Sequence, residues 1–176
     1  MQDGGLIHIY CGDGKGKTTA AIGLALRCSG HGNKVLLVQF LKSWRTGELN
    51  SLQKISNIEV LRGMETAKFT FQMTAEEKAE VLEQHNRLFA TVKKKCAEEN
   101  IDLLIMDEVI GAINTGVFEL DSLLDFLSNK PRELEVVLTG RAPKQPLLDM
   151  ADYVSEICKR KHPFEKGVKA RVGIER

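Results

Sequence analysis

The sequence has few cysteines, and they lie far apart. Its four cysteines, Cys11, Cys28, Cys96 and Cys158, form no Cys-x-x-Cys pair. Structural zinc sites and redox dithiols place cysteines at short spacings, so the sequence predicts neither kind of site. Scattered thiols are typical of a reducing compartment. We therefore expect a cytoplasmic protein.

Long apolar runs are also missing. Residues 6–10 are apolar but follow no positively charged segment, and the run is too short for a signal peptide. The run over residues 35–41 is interrupted by Gln39, and it falls far short of the ~20 residues that a membrane-spanning helix needs. We expect no membrane partner.

An excess of charge of one sign is missing as well. The 176 residues include 25 Lys and Arg against 24 Asp and Glu, a formal net charge of +1. Surfaces that bind phosphate backbones are usually strongly basic, so we expect no nucleic-acid partner. With 43% hydrophobic and 28% charged residues, the composition is that of a globular chain. The length fits one domain over residues 1–176.

What the sequence does contain is a series of short apolar runs separated by helical stretches. The runs do not alternate strictly between apolar and polar residues, which is typical of strands covered on both faces. They predict strands at residues 6–10, 35–41, 58–61, 101–106, 136–139 and 154–158.

Helices are predicted between these strands. One begins at the loop after residue 11 and ends near residue 28, and shorter ones cover residues 121–128 and 145–150. The longest begins at Thr74, which forms a capping box with Glu77. Alternating strands and helices predict an α/β fold, with a mostly parallel sheet and helices on both faces.

The stretch CGDGKGKTT, residues 11–19, joins the first strand to the first helix. Gly16, Lys17 and Thr18 match the end of the phosphate-loop pattern G-x-x-x-x-G-K-[ST], whereas Cys11 replaces its first glycine. Backbone N–H groups in such a loop converge on phosphate. We expect Lys17 to contact phosphate oxygens and Thr18 to ligate Mg²⁺. The alternative is an ordinary glycine-rich turn.

Two further strand ends have residues suited to this chemistry. IDLLIMDE ends in Asp107 and Glu108, which are candidate metal ligands or, alternatively, a cap for the next helix. In many ATPases the second acid activates water, which would favour hydrolysis. LTGR ends in Arg141, which either stabilises charge on a leaving phosphate or is a surface residue near a turn.

Together these residues resemble the ATP:corrinoid adenosyltransferases of the cobalamin pathway. The resemblance lies in GDGKGKTTAAIGLALRCSGHGNKVLLVQFLK, IMDE, LTGR, DYVSE and KHPFEKGVKARVGIE, which together extend over nearly the whole chain. A loop without the first glycine is usual in this family. The resemblance implies a single-domain P-loop fold of the RecA type, with MgATP and a corrinoid such as cobalamin as substrates.

The resemblance also implies a reaction and roles for individual residues. In this family a Co(I) corrin attacks the 5′ carbon of ATP and triphosphate leaves, which gives adenosylcobalamin or an adenosylated precursor. Lys17, Thr18, Glu108 and Arg141 would be catalytic, and Thr18, Asp107 and Glu108 would hold Mg²⁺. The residues that would cradle the triphosphate are Gly12, Asp13, Gly14, Lys15, Gly16, Lys17, Thr18 and Thr19.

An aromatic pair in this family excludes the axial ligand of Co(II) so that it can be reduced to Co(I). The corresponding stretch is KFTFQ, with Phe69 and Phe71. Their spacing alone instead favours two core residues on one face of a strand. The family further implies a homodimer and an external reductant, expected to be a flavoprotein. Some members have an N-terminal helix over the site; this sequence shows none, so a lid is expected from the partner subunit or not at all.

Other functions remain open from the residues alone. A P-loop ATPase or kinase would use Glu108 as a base, and a nucleotide-gated binding module would pass cobalamin to a partner. The sequence assigns no role to Trp44, Arg45 or His162. His85 lies on the apolar stripe of the longest helix, where packing is favoured over ligation.

Overall fold

The computed structural model of the chain describes residues 4–42, 46–63, 68 and 70–175. Within these residues six strands form one sheet in the order β3-β2-β4-β5-β1-β6, and every pairing is parallel. The strands are β1 (Ile7–Cys11), β2 (Val35–Gln39), β3 (Ile58–Arg62), β4 (Leu103–Asp107), β5 (Glu135–Thr139) and β6 (Tyr153–Glu156). All six predicted strands are confirmed, with small shifts at their ends.

Helices connect the strands and cover both faces of the sheet. They are α1 (Lys17–Gly30), α2 (Gly47–Leu52), α3 (Ala75–Glu98), α4 (Val109–Asn114), α5 (Leu120–Asn129) and α6 (Gln145–Met150), with 3₁₀ turns at Thr70–Gln72 and Pro163–Lys166. The predicted helices correspond to α1, α3, α5 and α6. The sequence predicted neither α2 nor α4, because six residues each are too few for a periodic pattern.

Alternate residues of each central strand pack into two separate apolar clusters. On one face, Leu37 and Ile105 pack with Ala21 of α1. On the other, Leu36 and Leu104 belong to the cluster that includes side chains of α3 and α5. The sheet is therefore covered on both faces, as the apolar runs predicted. No helix among the described residues has the length and apolar character needed to cross a membrane.

The longest helix begins as the sequence predicts. Thr74 accepts a hydrogen bond from the Glu77 backbone N–H, and the Glu77 side chain accepts one from the Thr74 N–H, which completes the capping box. One face of α3 is buried through Val81, Phe89 and Val92. The amphipathic pattern therefore correctly predicts which face of α3 packs against the sheet.

His85 is the polar member of this buried face. Its Nδ1 lies 2.8 Å from the Val117 carbonyl oxygen, and its Nε2 lies 2.6 Å from the Phe40 carbonyl oxygen. Burial lowers the pKa of His85, while these two backbone carbonyls oppose the shift. His85 thus ties the end of β2 to the segment between α4 and α5, which supports the packing interpretation.

Replacing His85 by leucine is expected to destabilise the fold. The change leaves the Phe40 and Val117 carbonyls without this partner, at a cost of about 2–4 kcal/mol in the free energy of unfolding. Urea denaturation followed by circular dichroism measures it. The matched control is His31→Leu, because His31 is exposed and should change stability by less than about 0.5 kcal/mol. Equal stability of the two variants would contradict the assigned role.

Candidate nucleotide-binding site

The loop between β1 and α1 makes a tight turn beside β6. Gly12 has a φ of 102° and Gly16 a φ of 125°, values that side-chain-bearing residues rarely adopt. The Gly14 N–H donates to the Ile157 carbonyl oxygen at 2.7 Å. The loop is therefore built from glycines where its backbone must turn and where it meets the segment after β6.

Lys17 begins α1 and folds back over this loop. The residue is buried, and its Nζ donates to the Gly14 carbonyl oxygen at 2.9 Å. An ammonium group held inside the turn, beside the N-terminus of a 14-residue helix, makes this end of the helix strongly attractive to anions. The geometry matches the anion-binding role predicted for Lys17.

Asp107, at the end of β4, connects the loop to the sheet. Its Oδ1 accepts hydrogen bonds from the Thr18 hydroxyl at 2.8 Å and from the Thr139 hydroxyl at 2.7 Å. Asp107 is fully buried. The structure thus brings Thr18 and Asp107 together, as predicted. It adds Thr139, which the sequence did not predict as a site residue although it precedes the glycine of LTGR.

Glu108 follows with a strained backbone. Its φ of 61° is in the left-handed region, which is uncommon for a residue other than glycine. The Thr139 hydroxyl oxygen accepts a hydrogen bond from the Glu108 N–H at 2.9 Å, which holds this conformation. Burial raises the pKa of the Glu108 carboxyl, and the neighbouring Asp107 adds to the increase. Strain of this kind is concentrated at functional sites.

Lys42 begins the irregular segment 42–47, for which the sequence predicts a place in a substrate pocket but no role for Lys42 itself. Its Nζ lies 2.7 Å from Asp107 Oδ2 and 3.4 Å from the Thr18 hydroxyl oxygen. The Lys42 carbonyl accepts a hydrogen bond from Arg62 Nη2 at 2.9 Å. The signal available in the sequence was its position just after β2, because the carboxyl ends of parallel strands share one edge of the sheet.

A cavity of about 860 Å³ opens over these residues. Residues 13–19, Glu108 and Arg141 line it, and Arg141 itself is exposed. The structure thus brings residues 13–19, Glu108 and Arg141 of the prediction to one cavity, whereas Gly12 and Asp107 are not part of its described lining. Cavities of this size are typical of small-molecule sites.

The C-terminal segment forms the other wall of the cavity. It includes His162 and residues 168–170 and 173–175. The segment is attached to the phosphate loop, since the Lys159 N–H donates to Asp13 Oδ1 at 2.9 Å and Glu175 Oε1 lies 3.9 Å from Lys15 Nζ. His162 therefore lies at the site, although the sequence alone assigned it no role.

Phe71 does not lie in the core. It belongs to the 3₁₀ turn Thr70–Gln72 and is 80% exposed, so the interpretation as a buried strand residue is wrong for Phe71. Residues i and i+2 share a face only in a strand, and Phe71 lies in a 3₁₀ turn, so the spacing gave a wrong prediction. Phe69, Trp44 and Arg45 lie outside the described residues.

Thr18, Asp107 and Glu108 supply the oxygen donors that Mg²⁺ prefers. The Thr18 hydroxyl donates to Asp107 and accepts from Lys42 Nζ at 3.4 Å, so one lone pair remains available. Across the residues described, no three His, Cys, Asp or Glu side chains cluster in a way that could hold a metal ion. Mg²⁺ in nucleotide sites is usually bound by one or two protein groups together with phosphate oxygens and water. Thr18 and Glu108, which line the cavity, fit that pattern. Asp107 is fully buried and is not part of the described lining.

Among solved structures, the fold is similar to that of a KaiC-like protein from Pyrococcus horikoshii. The TM-score is 0.51 at 17% sequence identity, over 90% of this chain and 75% of that one. At this identity the likeness supports the P-loop α/β fold alone.

Proteins of similar sequence are named corrinoid adenosyltransferases. A corrinoid adenosyltransferase of Escherichia coli K12 is 34% identical over 176 residues, covering 99% of this chain and 87% of the relative. Corrinoid adenosyltransferase CobA of Salmonella typhimurium is 36% identical over 181 residues, with the same shares covered. The family model described as ATP:corrinoid adenosyltransferase BtuR/CobO/CobP matches residues 3–176. The chain therefore belongs to the BtuR/CobO/CobP family of ATP:corrinoid adenosyltransferases.

Proposed function

We propose that the protein transfers the 5′-deoxyadenosyl group of MgATP to the Co(I) ion of a corrinoid. Membership of the family supports adenosyl transfer from ATP to a corrinoid in general. In the proposed step the cobalt supplies an electron pair to the 5′ carbon and becomes Co(III). The bond between that carbon and the triphosphate oxygen breaks, and triphosphate leaves with the bonding pair. The product is adenosylcobalamin or an adenosylated precursor.

The observation that carries the proposal is the convergence of Lys17, Glu108 and Arg141 on the cavity over the glycine loop. A departing triphosphate gains negative charge on the oxygen released from carbon. Lys17, the loop N–H groups and Arg141 are assigned to offset that charge. Preorganised charge of this kind is often the largest single contribution to catalysis.

Thr18 and Glu108, together with Asp107, are assigned to hold Mg²⁺. When bound, the ion neutralises phosphate charge and orients the triphosphate. The hydrogen bonds that Asp107 Oδ1 accepts from Thr18 and Thr139 fix the direction of the Thr18 hydroxyl. The Glu108 N–H donates to the Thr139 hydroxyl oxygen, and this hydrogen bond fixes the Glu108 backbone. The protein thus positions the two proposed metal ligands, Thr18 and Glu108, before nucleotide binds.

One observation favours a second function, hydrolysis or phosphoryl transfer with Glu108 as base. Its pKa is raised by burial and by Asp107, which makes the carboxylate a better proton acceptor than an ordinary glutamate. Adenosyl transfer from Co(I) needs no such base. Product analysis separates the two functions.

The decisive experiment incubates the protein with MgATP and a chemically reduced corrinoid under anaerobic conditions. We expect triphosphate and a light-sensitive alkyl-cobalt product in equal amounts. A parallel sample without corrinoid serves as the control. ADP formed in that control would contradict adenosyl transfer, and tight corrinoid binding without turnover would instead support a module that passes cobalamin to a partner.

Reduction of Co(II) is assigned to an external flavoprotein, as the family implies, because the sequence has no Cys-x-x-Cys pair that could act as a redox dithiol. Phe71 is assigned to the lower face of the corrin, together with Phe69. An exposed aromatic ring is available to cover that face and to exclude an axial water ligand, which favours the four-coordinate Co(II) ion that is easier to reduce. The homodimer that the family implies is retained as part of this proposal.

Replacing Phe71 by alanine is expected to affect the two starting oxidation states differently. Reaction from chemically prepared Co(I) should be largely retained, whereas reaction from Co(II) with a reductant should fall markedly, because water can again reach the cobalt. Parallel rate measurements on one protein preparation provide the comparison, with Co(I) as the internal control. Equal losses in both assays would count against ligand exclusion.

A further inference from the structure

The Lys42 ammonium occupies the place in this site where a metal cation is proposed to act. Its Nζ lies 2.7 Å from Asp107 Oδ2 and 3.4 Å from the Thr18 hydroxyl oxygen. These are two of the three groups assigned to Mg²⁺. In the described structure, the Lys42 ammonium is therefore the cation that contacts the proposed metal ligands Asp107 and Thr18.

The two oxygens of Asp107 are held in different ways. Oδ1 accepts hydrogen bonds from the Thr18 and Thr139 hydroxyls. Oδ2 is buried and, among the described residues, has no hydrogen-bond partner of good geometry. Its contact with Lys42 is therefore an ion pair without a well-directed hydrogen bond. Directed hydrogen bonds give charged pairs much of their strength and specificity, so this pair is suited to exchange.

A second carboxylate, that of Glu48, lies close to the Lys42 ammonium. Glu48 of α2 has its Oε1 3.9 Å from Lys42 Nζ, and both side chains line the cavity. The Lys42 backbone is held through its carbonyl by Arg62 Nη2 at 2.9 Å. Lysine has a flexible four-carbon stem, so the ammonium can leave Asp107 while the backbone stays in place.

A divalent ion and the ammonium cannot share this position. Two like charges a few ångströms apart in a partly buried site repel strongly. We propose that Lys42 is an exchangeable counter-ion of the metal site. It neutralises Asp107 before the nucleotide binds, and it moves toward Glu48 and the phosphates when a divalent cation occupies the ligands.

This inference rests on the proposed function only in that nucleotide and divalent cation enter this cavity together. It gives Lys42 two effects of opposite sign. Without nucleotide, the ammonium competes with the metal and weakens its binding. With a polyphosphate present, the displaced ammonium adds positive charge beside the anion and strengthens its binding.

The first measurement titrates Mn²⁺ into the protein without nucleotide or corrinoid, following free Mn²⁺ by electron paramagnetic resonance. Lys42→Met is expected to bind Mn²⁺ about tenfold more tightly than the wild type, because one positive charge beside the ion is removed. Lys54→Met is the matched control, since Lys54 is exposed and outside the cavity lining. An affinity of Lys42→Met no higher than that of Lys54→Met would overturn the proposal.

Two further variants locate the effect. Lys42→Arg keeps the charge and should bind Mn²⁺ as the wild type does, within about twofold. In Lys42→Met combined with Asp107→Asn, the gain should disappear. If the gain persists in this double variant, Mn²⁺ binds elsewhere and the proposal fails.

The second measurement uses tripolyphosphate with saturating Mg²⁺, by isothermal titration calorimetry. Lys42→Met is expected to bind it about tenfold more weakly, the opposite sign to the Mn²⁺ result. A lysine that only supported the local structure would weaken both ligands, and that outcome would overturn the proposal. Neither measurement contains corrinoid, so a negative adenosyl-transfer assay would reject the proposed function without deciding the role of Lys42.

Discussion

Replacement of Lys17 by alanine is expected to lower the rate of adenosyl transfer by about 10²–10³-fold, comparable to the loss of one oxyanion donor. The Lys17 ammonium is buried and held by the Gly14 carbonyl at 2.9 Å, so it is already in place before charge develops on the leaving group. The measurement is kcat and KM for ATP with chemically prepared Co(I). We expect kcat to fall by the larger factor, because charge grows on the triphosphate during the step.

Lys15→Ala is the matched control for Lys17→Ala. Lys15 lies on the same loop, but its side chain is 51% exposed and 3.9 Å from Glu175. Solvent screens exposed charges strongly, so its removal should reduce kcat by less than about tenfold. Near-normal turnover of Lys17→Ala, or equal losses in the two variants, would remove Lys17 from its assigned role.

Local patterns predicted the parts of the site that are contiguous in sequence. Gly16, Lys17 and Thr18 form one continuous motif, and Asp107 with Glu108 directly follows an apolar run. Such motifs specify their own backbone geometry through glycine and the start of a helix. The six strands were found for a similar reason, because buried parallel strands are short apolar runs.

The contacts that complete the site depend on the order of the strands, which the sequence does not state. Alternating strands and helices predict a parallel sheet, but they do not place β4 between β2 and β5. That order brings Lys42 after β2 and Thr139 of β5 to the same Asp107. Both residues were therefore missed as partners of the acid, although each lies at a strand end.

The left-handed backbone conformation of Glu108 could not be predicted from the sequence either. Nothing in its residue type favours a φ of 61°. The conformation is held by a hydrogen bond to Thr139, 31 residues later in the chain, and it follows from tertiary structure alone. The same holds for Ile157, whose backbone closes over the glycine loop although the two segments are far apart in sequence.

Replacing Gly12 by alanine is expected to lower the free energy of unfolding by about 2–4 kcal/mol. Its φ of 102° is rarely adopted by residues with a side chain. An added Cβ would also lie 2.4 Å from the Ile157 carbonyl oxygen, a backbone atom that cannot move alone. Either the loop or the end of β6 must shift. Urea denaturation of the nucleotide-free protein measures the effect.

Gly23→Ala is the matched control for Gly12→Ala, since Gly23 lies inside α1 with open space around its Cβ position. Alanine favours a helix interior over glycine, so this variant should be more stable than the wild type by about 0.5–1 kcal/mol. The same chemical change thus has opposite signs at two positions. A Gly12→Ala variant as stable as the wild type would show that the loop does not need the close approach to Ile157. If Gly12→Ala lowers both stability and ATP affinity, the close contact between the loop and Ile157 also determines the shape of the phosphate site.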